Sequence, residues 1–65
     1  MKESYYVEVV YSDESEFHFD VSVEGSWSEI SGILMMITRG VLMSSNAEKA
    51  VCYRSDGFDV CSYVK

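Results

Sequence analysis

The run Ile33-Leu34-Met35-Met36-Ile37-Thr38-Arg39-Gly40-Val41-Leu42-Met43 carries one charge in a chain otherwise dotted with acids. Wound as a helix, it holds more apolar surface than one sheet can cover. A membrane span needs about 20 apolar residues, and this stretch is shorter and interrupted by Arg39. The fold must therefore give the run a sheet to lie on, and part of it stays free to meet a partner.

The sheet is written on either side of the run. Phe17, Phe19, Val21 and Val23 alternate with His18, Asp20, Ser22 and Glu24, a half-buried strand pattern over residues 16–24. Over 4–11, Tyr5, Val7, Val9 and Tyr11 form one face, and Tyr6, Glu8 and Val10 the other. Ser12-Asp13-Glu14-Ser15 reads as a hairpin loop. The expected register pairs Tyr11 with Phe17, Val9 with Phe19 and Val7 with Val21, and sets Glu8 opposite Asp20.

Ser26-Trp27-Ser28-Glu29 after Gly25 is a capping box, so a helix is predicted from Trp27. At 100° per residue, Ile30, Ile33, Leu34, Ile37 and Val41 form the core stripe, with Trp27 on its flank. The helix ends at Gly40 or runs to Ser44 or Ser45, and Val41 continuing the stripe favours the longer form. Further on, residues 49–55 and 58–64 flank Asp56-Gly57, a strong hairpin signal. A two-residue turn there pairs Ser55 with Phe58 and Cys52 with Cys61. The more apolar set, Val51, Tyr53, Phe58, Val60 and Val64, is expected to face the helix. Ala50, Cys52, Arg54, Asp59, Cys61 and Tyr63 are expected on the open face. The prediction is one small α+β domain over residues 1–65: ββαββ, a four-stranded, mainly antiparallel sheet with one helix on one face and strand order open.

Sixty-five residues bury only about 60% of their unfolded surface, which leaves a thin stability margin. Five basic residues against eleven acidic ones give a net charge of -6. Lys2, Arg39, Lys49, Arg54 and Lys65 are scattered, which argues against direct nucleic-acid binding. Met1-Lys2-Glu3 is followed by no apolar signal core, so the expected location is the cytoplasm, with no membrane attachment.

Chemistry-bearing residues are few. Cys52 and Cys61, paired across a hairpin, are close enough for a disulfide that could serve as a redox switch. A cytosolic setting and the frequency of buried thiols favour two free cysteines instead. His18 lies on a polar strand face; with two cysteines and no second ligand pair it makes no expected metal site. Both cysteines lie mid-strand, no G-x-S-x-G occurs, and Gly25, Gly32, Gly40 and Gly57 are too dispersed to cradle a phosphate. The expectation is a protein that is not an enzyme and needs no cofactor.

What remains is surface. Met35, Met36, Arg39, Leu42 and Met43, beside Gly32, lie opposite the core stripe where a solvated helix would show Glu and Lys. Methionine is flexible and polarizable and recurs on adaptable binding faces. Tyr6, His18 and Tyr63 on the open sheet face form a second candidate recognition surface. The expected function is a protein-interaction module of regulatory or accessory role, self-associating as a homodimer, from a bacterium, phage or mobile element. Two other readings compete: an acidic nucleic-acid mimic that inhibits a basic host enzyme through Asp13, Glu14, Glu16, Asp20 and Glu24, and a thiol/disulfide-responsive domain.

Overall fold

A computed structural model describes residues 2–65. Strands β1 (Lys2–Tyr11) and β2 (Glu16–Glu24) precede one helix, α1 (Trp27–Ser44), followed by β3 (Ala47–Arg54) and β4 (Asp59–Val64). The strands form one antiparallel sheet in the order β2-β1-β3-β4, and the helix packs on one face. This is the expected ββαββ α+β architecture. β2 and β3 both run antiparallel to β1 and hence parallel to each other, so the step between them needs a crossover, which α1 supplies.

The capping box forms as predicted. Ser26 accepts from the Glu29 amide through its Oγ at 3.4 Å, and the Glu29 carboxylate accepts from the Ser26 amide at 3.3 Å and its hydroxyl at 2.8 Å. The helix passes through Gly40 and ends at Ser44, the longer of the two expected forms. Its buried row differs from the expected stripe: it is Ile30, Leu34, Thr38 and Leu42. Residues four apart advance round the helix by about 40°, so this row is oblique, as when a helix lies along its i±4 ridge and crosses the strands at an angle. The obliquity turns Leu42 into the core, at 3% exposure, and Ile33 out of it, at 41%.

Both hairpin turns correct the sequence reading. In the first, the Tyr11 amide donates to Ser15 O at 2.9 Å and the Glu14 amide to Tyr11 O at 3.0 Å, with Glu14 at φ 70°. The resulting pairs are Val9 with Phe17, Val7 with Phe19 and Tyr5 with Val21. The slip from the expected register is two residues, so the faces are kept, but Glu8 now meets His18 and not Asp20. In the second, Arg54 N donates to Phe58 O at 2.8 Å and Gly57 N to Arg54 O at 2.9 Å. That is a three-residue loop, Ser55-Asp56-Gly57, rather than a two-residue one. A bulge between Cys52 and Tyr53 in the pairing absorbs the extra residue, so Cys52 still faces Cys61.

The faces of β3, and of β4 from Cys61 onward, are opposite to those expected. The bulge leaves Val60 against the core and Asp59, beside Tyr53, on the open face, as expected for those two. Val7 pairs with Cys52 and Val9 with Ala50, which carries the buried face of β1 onto Ala50, Cys52, Cys61 and Tyr63. Small side chains here serve close approach: Ala47, Ala50 and Cys52 are fully buried under α1, and the helix supplies the bulk through Leu34 and Leu42. Choosing the face by total hydrophobicity misses this, because the strand beneath a close-packed helix is small rather than greasy. The helix is also off-centre. It lies over β3 and β4, touches β1 lightly and leaves β2 at its margin, with Phe19, Val21 and Val23 half-buried against the core and Phe17 55% exposed.

Candidate interaction surface

The off-centre helix decides what each exposed side chain can meet. On the flank of α1 toward the β4 edge, Gly32, Met35, Met36 and Arg39 surround Tyr63 in a shallow hollow of about 240 Å³. Met36 is 75% exposed, Met43 67% and Met35 46%. Arg39 is exposed and makes no ion pair among the described residues, where the one salt bridge joins Arg54 to Asp56 at 2.6 Å. Four of the five helix residues predicted for the interface, Met35, Met36, Arg39 and Met43, thus lie on solvent-facing helix surface. The fifth, Leu42, belongs to the core.

The three residues assigned to the open face do not stay together. Tyr6 is there, stacked on Tyr53 with ring centroids 5.0 Å apart, and His18 is there opposite Glu8. Tyr63 is on the other face, under α1, where it joins the methionine hollow. The open face therefore holds a tyrosine pair, an exposed histidine and several carboxylates.

The cysteines are free thiols on adjacent strands beneath the helix. Cys61 Sγ donates to Thr38 Oγ1 at 3.7 Å, and Thr38 in turn donates to Leu34 O at 2.7 Å. Burial, reinforced by neighbouring Cys61, pushes the Cys52 thiol up to about 11. The nucleophile and the redox-active species is the thiolate, so Cys52 is a poor candidate for either role near neutral pH. No cluster of three His, Cys, Asp or Glu suited to a metal occurs among the described residues. No helix there is long and apolar enough to cross a membrane.

A second apolar strip escaped the sequence reading. Phe17, Phe19, Val21 and Val23 on β2, and Ile33 and Ile37 on α1, stay partly open. Periodicity correctly put these residues on the helix side of their elements. It could not say that one helix would be set over the other half of the sheet. No protein-family model matches the chain, and neither a curated protein nor a solved structure does.

Proposed function

We propose that this chain is a non-enzymatic protein-interaction module that acts as a homodimer through the methionine face of α1. The observation that carries the reading is Met35, Met36 and Met43, exposed around Arg39, which makes no ion pair among the described residues. Methionine and arginine are enriched where surfaces bind protein. A domain of this size also gains stability from association. Free thiols suit a reducing compartment, and small size and acidity suit a regulatory or accessory protein of a bacterial or phage cytoplasm.

Solution mass at two concentrations tests the reading. A mass that rises toward twice 7.4 kDa supports it. Met36→Glu with Met43→Glu should then weaken association at least tenfold with an unchanged circular dichroism spectrum. A double variant that associates like the parent would end the assignment to this face.

One observation favours the nucleic-acid mimic as a second reading. Glu16, Asp20 and Glu24 share one face of the edge strand β2, with Asp13 and Glu14 in the turn at its end. Four strand residues span about 13 Å, whereas a DNA strand carries a phosphate about every 3.4 Å. The row is too sparse to match a phosphate backbone, so the interaction module is the better-supported reading. Salt-sensitive binding to a polylysine probe, lost in Asp20→Lys, would reverse that ranking.

A further inference from the structure

We infer that Cys52 and Cys61 are an oxidisable dithiol, a modification site at which a disulfide-class oxidant such as oxidised glutathione closes a bond between β3 and β4 beneath α1. The bond needs no second copy, and so is independent of the self-association proposed above.

Register brings the two residues together. Cys52 pairs with Cys61, and the bulge that follows Cys52 keeps them opposed despite the three-residue turn. Lys65 N donates to Glu48 O at 2.9 Å. Counted along the ladder from there, every second pair is hydrogen-bonded. Cys52 and Cys61 are such a pair, with Cα atoms ~5.5 Å apart. A disulfide accepts ~4.4–6.8 Å and most often takes ~5.5–6 Å. The side chains converge as well. Cys61 Sγ lies 3.7 Å from Thr38 Oγ1, and the Cys52 thiol is near enough to both Thr38 and Cys61 for each to weigh on its ionisation.

Closing the bond strands no polar group. The hydrogen that Cys61 donates to Thr38 Oγ1 is lost. The Thr38 hydroxyl keeps its own bond to Leu34 O at 2.7 Å, so this buried side chain stays satisfied.

Exposure sets the order of events. Cys52 is fully buried, whereas Cys61 is half-buried and is the thiol an oxidant meets first. The Cys61 thiolate attacks one sulfur of oxidised glutathione, whose S–S bond breaks. One glutathione leaves as a thiolate and takes up the proton that Cys61 released. Cys52 then attacks the Cys61 sulfur, the mixed disulfide breaks, and the second glutathione leaves with the proton from Cys52. The two cysteines are oxidised, and one glutathione disulfide is reduced to two thiols. Burial keeps the Cys52 thiolate scarce near neutral pH. Its position offsets that scarcity, because a well-placed intramolecular group acts at an effective concentration on the order of 10⁵ M or more. The closed loop runs from residue 52 to residue 61 around the Asp56-Gly57 turn. It removes freedom from the unfolded chain, so the oxidised form should be the more stable one.

Arg54 lies between the two cysteines, so a tryptic digest reads the bond directly. The folded chain is incubated with oxidised glutathione, its remaining thiols are alkylated, and the peptides are identified by mass. Peptides 50–54 and 55–65 should appear joined through Cys52 and Cys61, at least tenfold above any glutathione adduct, from a chain that runs as a monomer on a non-reducing gel. The oxidised chain should keep the circular dichroism spectrum of the parent and melt a few degrees higher, a gain that dithiothreitol reverses. Two alkylated thiols, a reaction that stops at the glutathione adduct of Cys61, or a bond formed between chains overturns the inference. So does an oxidised chain that loses the parent spectrum or melts no higher than the reduced one.

Discussion

The two hairpins have the same turn and opposite fates. β1–β2 and β3–β4 both close through three residues, with a left-handed position at the third: Glu14 at φ 70° in one, Gly57 at φ 91° in the other. Both present alternating side chains to the same side of the sheet. Yet α1 covers the second hairpin and leaves the edge strand of the first open. The difference lies in what each strand offers a helix. β3 offers Ala47, Ala50 and Cys52, over which a helix backbone can come close, whereas β2 offers Phe17 and Phe19, which would hold it away. A helix long enough to choose settles where its own Leu34 and Leu42 supply the bulk. The larger aromatic face is then left at the margin.

The largest expected effect breaks this comparison outright. Leu34, on the sheet-facing side of α1, is fully buried, and Leu34→Ala should cost ~3 kcal/mol, within the usual 2–5 for such truncations. Phe17→Ala removes more atoms but from a side chain that is 55% exposed, and should cost less than ~1 kcal/mol. Urea unfolding of the two variants under identical conditions reads the difference. Equal losses would mean that β2 is as covered in solution as β3, and the off-centre placement of the helix would be wrong.

The alkaline limb of stability sharpens the same contrast. Tyr5 donates to the Glu3 carboxylate at 2.5 Å, and that bond, with burial, pushes its phenol up to about 12 from 10.0. Burial pushes Cys52 up to about 11 from 9.0. Both groups bind a proton more tightly folded than unfolded, so their contribution is complete below the unfolded values and is lost as pH rises past them. Stability should hold to about pH 9 and fall between there and pH 12. Cys52→Ala should flatten the part of the fall between pH 9 and 11, and Tyr5→Phe the part between 10 and 12. Thermal melts across that range check each slope.

How far the sequence reached follows from the range of each signal. Element identity, the capping box, the helix start at Trp27 and its passage through Gly40 were legible because they depend on neighbours within a few residues. Strand order was not, since nothing local says that β1 lies between β2 and β3. The inverted face of β3, and of β4 from Cys61 onward, has a specific cause: apolar content was used to choose the buried side, and Ala50 and Cys52 are inconspicuous by that measure. The displaced Leu42 has another, because a straight wheel ignores the angle at which the helix crosses the sheet. Met35, Met36, Arg39 and Met43 were legible as surface, but their nearness to Tyr63 needed the corrected face.

The turns give the next effect down. Gly57 occupies a conformation that side chains rarely adopt, although a Cβ there would meet no neighbour within 4 Å. Gly57→Ala should therefore lose ~1–2 kcal/mol through backbone strain alone. Urea unfolding of this variant should show an unchanged m-value, as the folded contacts stay the same.

Glu14 makes the smallest change and tests the equivalence of the two turns. It holds the left-handed position without being glycine, at a conformational cost of ~1–2 kcal/mol. Glu14→Gly relieves that cost but gives the unfolded chain more freedom, worth ~0.5–1 kcal/mol, so the net gain should be ~0.5 kcal/mol. The substitution also removes one negative charge from a chain at -6, which could raise stability for a different reason. Glu14→Gln separates the two: it removes the charge and keeps the strained side chain. If the turn geometry is the cause, Glu14→Gly raises the melting temperature by a few degrees and Glu14→Gln leaves it where it was. Equal gains from both would assign the effect to charge, and the likeness between the two hairpin turns would carry no energetic weight.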